Sequence, residues 1–242
     1  MKDRDTGDPM LDVILDRAGQ KGTGKWTSQI AFDLGVPVPT IAAALQARII
    51  SAFKDERVAA AEKLKFVQGK VGKARGEEKL IDAAADALYG SMIAAYAQGF
   101  AILREASLAD PVENNGDYDF SLNLSDIAQI WKGGCIIRST LLEPIRAALA
   151  EDRSLPNLLV APYFRKVLVR AKFQRNWRYV VNLAAALGLP REAVGASLSY
   201  FDDYRTHRLP ADMIQAQRDR FGQHGFERVD REGKGFHLNP AD

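Results

Sequence analysis

The sequence has very few of the residues that build disulfide frameworks and metal sites. Its 242 residues include one cysteine and three histidines. The single cysteine, Cys135, excludes an internal disulfide framework and is typical of a reducing compartment, so we expect the protein in the cytoplasm. The histidines, His207, His224 and His237, have no metal-ligand spacing and none lies beside the cysteine. We therefore expect no metal site.

The sequence also lacks an excess of charge of one sign and any long apolar run. Lys and Arg number 33 against 31 Asp and Glu, which gives a net charge of +2. These charges are spread along the chain, so we expect no nucleic-acid partner. No apolar run reaches the roughly 18 residues of a membrane helix, and the first residues contain no continuous apolar segment. We expect neither a membrane span nor a signal peptide.

Apolar residues recur at helical spacing through most of the chain, and this pattern predicts an all-α fold. One long helix is predicted over residues 40–64, and a second over 77–108, where alanine and glycine allow close packing on more than one side. No alternation of period two is long enough to predict a sheet. Further helices are predicted over 10–18, 26–34, 124–131, 135–149, 157–187, 190–206 and 211–221, with Pro162 marking a start or a kink.

The pattern divides the chain into a helical domain over residues 1–222 and a C-terminal tail over 223–242. The tail is charged and glycine-bearing, with isolated Phe226 and Phe236. Such a segment is a poor core element, so we expect it to be disordered or to pack on a partner. Within the domain we also expect an exposed connection over 68–76 and a long loop over 110–123.

A glycine- and lysine-rich segment, GQKGTGKW over 19–26, is the strongest candidate for a ligand site. It resembles a P-loop, but Trp26 stands where a magnesium-binding hydroxyl is needed and no buried strand precedes it, which argues against a nucleotide triphosphatase. Its glycines would let backbone amides approach a small anion, Lys21 and Lys25 supply positive charge, and Thr27 is a possible helix start. The alternative is a purely structural turn flanked by lysines.

Two other residues have both a structural and a functional interpretation. Arg48 lies close to the apolar stripe of its predicted helix and needs a partner, which is either Asp55 or Glu56 or the anion of a ligand. His224 follows Gly222, where the last helix is predicted to end, and this would aim the imidazole beyond the helix tip. The alternative for His224 is a solvated loop histidine.

Seven blocks of the sequence, taken together, resemble the 6-phosphogluconate dehydrogenase family. The most specific of them contains K-G-T-G-x-W with Ile-x-Asp upstream. The resemblance extends from about Lys2 to about Phe236. The blocks are ILDRAGQKGTGKWT (14–27), DLGVPVPTI (33–41), ARIISAFKDERVAA (47–60), YAQGFAILREAS (96–107), IWKGGCIIRS (130–139), APYF (161–164) and SYFDDYRTHRLPADMIQAQRDRFGQHGFER (199–228).

The resemblance implies the C-terminal helical half of an enzyme that works as a homodimer. The family oxidises 6-phosphogluconate at C3 with NADP, or NAD in some members, and then decarboxylates the product to ribulose 5-phosphate without a metal. Lys21, Thr23 and Arg48 match residues associated with the substrate phosphate of their own subunit. Arg218 and His224 match residues that reach into the neighbouring subunit's site, the arginine towards the phosphate and the histidine towards the sugar.

The sequence also departs from the family's pattern. Family members open with a Rossmann domain that carries G-x-G-x-x-G, followed by a long helix with a catalytic lysine and glutamate near its start, and these 242 residues contain none of them. We therefore expect no catalytic residue and no activity in this chain alone. We expect it either to be a fragment or to be completed by a separate polypeptide. The cofactor would be bound mainly outside it. An alternative from a different class is a non-catalytic helical interaction or assembly module.

Overall fold

A computed structural model gives the fold, and it describes residues 1–70, 75–108 and 120–238. The described residues form eleven α-helices and one 3-10 helix (Leu158–Val160), with two isolated bridges in place of strands. The predicted all-α fold is confirmed for these ranges. In chain order the α-helices are α1 (Met10–Val13), α2 (Thr23–Asp33), α3 (Pro39–Ser51), α4 (Lys54–Lys63), α5 (Glu77–Leu108), α6 (Leu124–Ile130), α7 (Leu142–Glu151), α8 (Pro162–Leu168), α9 (Ala171–Ala186), α10 (Glu192–Arg205) and α11 (Ala211–Gly222).

The chain divides into two compact units, residues 1–201 and residues 202–242. Helix α11 ends at Gly222, and the division of the chain at that residue stays a prediction. Whether the tail packs on a partner stays a prediction. The loop predicted over 110–123 and the connection over 68–76 fall partly outside the described residues. Within the described ranges, no helix has the length and apolar content needed to cross a membrane.

Helix α5 is the central helix of the first unit, as its alanine-rich pattern predicts. It is 32 residues long and packs most extensively on α9. The indole of Trp177 on α9 is fully buried and stacks on Phe201, with Phe173 at its edge. Gly90 of α5 allows this approach, because a Cβ atom at residue 90 would lie 2.6 Å from two ring atoms of Trp177. The close packing predicted for this helix is therefore confirmed.

A buried polar cluster joins α3, α5 and α10. The Gln98 side chain is fully buried; its carbonyl oxygen accepts a hydrogen bond from the Thr40 backbone N–H at 3.0 Å, and its amide donates to Thr40 Oγ1 at 2.8 Å. The Thr40 hydroxyl in turn lies 3.0 Å from Ser197 Oγ. Because α3 begins with Pro39 and has no capping side chain of its own, Gln98 satisfies a helix N-terminus from another element.

The single helix predicted over residues 40–64 is wrong. The chain forms two helices there, α3 and α4, with an interruption after Ser51. No proline or glycine causes it, and the Ser51 side chain instead exchanges hydrogen bonds with the backbone of Ala18, at 3.0 Å from its N–H and 3.2 Å to its carbonyl. The Arg57 guanidinium donates to the Ser51 carbonyl at 3.1 Å. The Ser51 hydroxyl also keeps a local bond to the Arg48 carbonyl at 2.8 Å, so contacts from Ala18 and Arg57 are added to the local ones where the helix ends.

One more predicted helix start is wrong, and one predicted helix is too long. Helix α7 begins at Leu142 instead of residue 135, because Gly134 has a left-handed φ of +68° and the chain runs through turns before the helix. Helix α1 starts at Met10 as predicted but ends at Val13 instead of residue 18. Pro162, in contrast, starts α8 as predicted. Proline marks helix starts reliably because its fixed φ suits the first turn.

Candidate functional site

The glycine- and lysine-rich segment forms the entry to α2. The helix begins at Thr23, four residues before Thr27, because Gly22 adopts a φ of +103° that turns the chain into the helix early. The Gln20 side-chain oxygen accepts a hydrogen bond from the Gly22 N–H at 2.9 Å and closes this turn. The N-cap glycine has no side chain to cap the first backbone N–H groups. The N-terminus of α2 therefore keeps its positive end for an anion.

Arg48 reaches this segment from α3. Its Nε and Nη2 atoms both donate to the Gly19 carbonyl oxygen, Nε at 2.9 Å. The partner is thus a backbone carbonyl and neither Asp55 nor Glu56, the carboxylates considered from the sequence. The remaining N–H donors of this exposed guanidinium have no hydrogen-bond partner among the described residues, and they can bind an anion.

Charged side chains behind the segment fix it to the α3–α4 junction. The Asp16 carboxylate pairs with Lys54 Nζ at 2.5 Å and with Arg57 Nη1 at 3.2 Å. The Lys54 hydrogen bond, followed by that of Arg57, lowers the pKa of Asp16 below its ordinary value. Together with the Ser51 bonds to Ala18, these contacts hold the chain just before the glycines.

The Arg48–Gly19 contact connects Arg48 to the segment that contains Lys21 and Thr23. Lys21 and Thr23 lie in the segment whose Gly19 carbonyl binds Arg48, and all three side chains are exposed. Trp26, one turn into α2, lies over the same turn, since a Cβ atom at Gly22 would be 3.1 Å from its indole. The exposed cations and the start of α2 make up the candidate site for a small anion, and Trp26 lies beside it.

Arg218 and His224 lie in the second unit, around the end of α11. Arg218 is exposed, and its Nη1 donates to Gln215 Oε1 at 2.7 Å. The predicted direction of His224 is wrong: the imidazole does not extend beyond the helix tip but folds back, so that a Cβ atom at Gly222 would lie 2.7 Å from Nε2. The cause is Gln223, whose left-handed φ of +51° reverses the chain after the helix.

Sequence reasoning missed a buried carboxylate next to these residues. Asp219, in the last turn of α11, is only 4% exposed. Its oxygens accept hydrogen bonds from the backbone N–H groups of Gly225 at 2.9 Å and Leu238 at 2.7 Å, and His237 Nδ1 lies 2.7 Å away. The Leu238 bond is the main cause of a lowered Asp219 pKa.

The tail contains one backbone pairing among its described residues. Phe226 and Phe236 exchange two backbone hydrogen bonds, of 2.9 and 3.0 Å, which make an isolated antiparallel bridge. The two segments meet closely, because a Cβ atom at Gly225 would lie 2.8 Å from the Gly235 Cα atom. No group of three His, Cys, Asp or Glu side chains placed to hold a metal ion occurs among the residues that the structure describes.

Comparisons with known proteins show which family the chain is similar to. The family model of the 6-phosphogluconate dehydrogenase C-terminal domain matches residues 1–239. Among curated relatives, 6-phosphogluconate dehydrogenase, decarboxylating, of Synechococcus elongatus is 48% identical over 237 residues, which cover 97% of this chain and 47% of the relative. The NADP(+)-dependent, decarboxylating enzyme of Bacillus subtilis is 47% identical over 232 residues, or 96% of this chain and 47% of the relative.

A solved structure shows the same fold. Plasmodium falciparum 6-phosphogluconate dehydrogenase, studied in its apo form and in complex with its cofactor NADP+ and its substrate 6-phosphogluconate, superposes with a TM-score of 0.85 at 36% identity. The superposition covers 98% of this chain and 48% of that one. The chain therefore spans about half the length of the relatives it matches.

Proposed function

Since this chain belongs to the 6-phosphogluconate dehydrogenase family, as its C-terminal domain, we propose that it supplies substrate binding and dimer contacts to a decarboxylating dehydrogenase. That enzyme oxidises 6-phosphogluconate with NADP and releases CO2 and ribulose 5-phosphate. The NADP site and the groups that move hydride and protons belong mainly to a part of the enzyme outside these 242 residues. The single cysteine supports the cytoplasm as the compartment.

The observation that carries the proposal is the pair of hydrogen bonds from Arg48 to the Gly19 carbonyl. These bonds bring a second helix's guanidinium to the segment that holds Lys21 and Thr23. A sugar phosphate has about two negative charges near neutral pH, and each charge-assisted hydrogen bond contributes roughly 1.5–3 kcal/mol. The two cations and the N-terminus of α2 can therefore anchor the phosphate end while the far end of the sugar reacts.

We assign Arg218 and His224 to the site of a second copy of the chain. Apolar side chains on α11 support this assignment, since Met213, Ile214 and Phe221 are 70%, 58% and 80% exposed. Neighbouring exposed apolar side chains on one helix are typical of an interface. A homodimer would cover this helix and place the arginine near the phosphate and the histidine near the sugar.

Calorimetric titration with 6-phosphogluconate tests the phosphate site. We expect Lys21→Ala and Arg48→Ala each to weaken binding about tenfold, because each removes a charge-assisted contact. Arg48→Lys should also weaken it, since lysine lacks the planar fork that binds Gly19 and the anion together. Lys63→Ala, an exposed lysine at the end of α4, is the control and should bind normally. If Lys21→Ala and Arg48→Ala also bind normally, the chain is better explained as a non-catalytic assembly module.

A further inference from the structure

The position of Asp219 is unfavourable on local grounds. The last turn of a helix has a negative end, and a carboxylate there is repelled by the unpaired carbonyl groups. Burial adds to this cost, because Asp219 is 4% exposed and a buried charge needs partners. The contacts of Asp219 must therefore offset both the helix-end repulsion and the cost of burying its charge.

Asp219 makes those contacts on both sides of His224. The Gln223 backbone N–H donates to the Asp219 carbonyl oxygen at 2.8 Å, and the Gly225 N–H donates to the Asp219 carboxylate at 2.9 Å. The residues before and after His224 are therefore each bonded through their backbone N–H to Asp219. This leaves the histidine backbone little freedom to rotate.

The remaining contacts fix the same loop from the tail. Leu238 N–H and His237 Nδ1 both lie 2.7 Å from the Asp219 carboxylate, on the far side of the Phe226–Phe236 bridge. The Asp219 carboxylate thus binds the tail at two places, Gly225 and Leu238.

We infer that Asp219 is a positioning residue that sets the direction of the His224 imidazole for contact with the sugar of the substrate. This inference rests on the proposed role of His224. The imidazole lies over Gly222, where a Cβ atom would come within 2.7 Å of Nε2, so the chosen direction also needs glycine at residue 222. Asp219 itself does not touch the substrate and acts through His224.

A double-mutant cycle in 6-phosphogluconate binding tests the inference. Asp219→Asn keeps the shape of the side chain but removes its charge and one acceptor oxygen, and we expect about tenfold weaker binding. Adding Asp219→Asn to His224→Ala should weaken binding no further than His224→Ala alone, because the two changes remove one interaction. Asp212→Asn, an exposed carboxylate in the first turn of the same helix, is the control and should leave binding unchanged.

The outcomes separate the inference from the proposed function. If His224→Ala binds normally, the proposed role of His224 fails. If His224→Ala weakens binding and Asp219→Asn does not, or if their effects add in full, Asp219 is not a positioning residue. Hydrogen exchange should show faster exchange of the Gly225 and Leu238 amides in Asp219→Asn, with the α11 amides still protected. If α11 also loses protection, the cycle is repeated with Asp219→Glu, which keeps the charge but shifts it by one methylene, and the same criteria apply.

Discussion

Gly90 and Trp177 show how a missing side chain fixes the two central helices of the first unit. We expect Gly90→Ala to destabilise the protein by about 1–3 kcal/mol, because the new Cβ would meet the indole at 2.6 Å and a well-packed core resists overpacking. Gly99→Ala on the same helix is the control, since no atom lies within 4 Å of its Cβ position, and it should gain up to about 1 kcal/mol of helix propensity. Urea unfolding measures both, and equal effects of the two variants would contradict the packing argument.

At the same residue scale, the sequence predicted the candidate site unevenly. Lys21 and Arg48 could be predicted as site residues from the sequence. Lys21 lies in a glycine- and lysine-rich segment, and Arg48 is a cation beside an apolar stripe. The partner of Arg48 is a backbone carbonyl, which no residue pattern reveals. The direction of the His224 side chain depends on the left-handed conformation of Gln223, and glutamine is a residue type that rarely predicts this conformation. Asp219 had a signal, an acid in a last helical turn, but its partners lie up to 19 residues away.

Among the elements, the first turn of α3 is stabilised by a side chain of α5, Gln98. We expect Gln98→Leu to cost about 1–3 kcal/mol, because it leaves the buried Thr40 N–H unpaired, while the Thr40 hydroxyl keeps its partner Ser197. Gln46→Leu, an exposed glutamine on α3 itself, is the control and should stay within about 0.5 kcal/mol. Thermal unfolding followed by circular dichroism compares the two. A Gln98 variant as stable as the control would show that α3 begins without this support.

The helices themselves were predictable wherever local pattern and packing agree. Residues 77–108 have apolar spacing, small residues and no proline, and they form one helix with the predicted bounds. Residues 40–64 have an equally continuous pattern, yet the helix ends after Ser51, where Ala18 and Arg57 contact its side chain and its carbonyl. Such long-range contacts have no local sequence signal.

For the whole molecule, the proposed homodimer makes a direct prediction. Phe221, which is 80% exposed on α11, should lie against the second copy, so Phe221→Ser and removal of residues 223–242 should each weaken the dimer at least about tenfold. Sedimentation velocity over a concentration series measures the change. Val67→Ser, at a residue 86% exposed in the first unit, is the control. A chain that sediments as a monomer with its tail intact would contradict the proposal.

The indole of Trp26 gives the candidate phosphate site an optical reporter of its own. The sequence has three tryptophans, of which Trp177 is fully buried and Trp131 is half-buried against Phe100, while Trp26 is 60% exposed beside Gly22. Tryptophan fluorescence that is red-shifted and accessible to aqueous quenchers therefore comes mainly from Trp26, beside the glycine- and lysine-rich segment. Occupancy of that segment can be followed in the unmodified chain, in real time and without a dye.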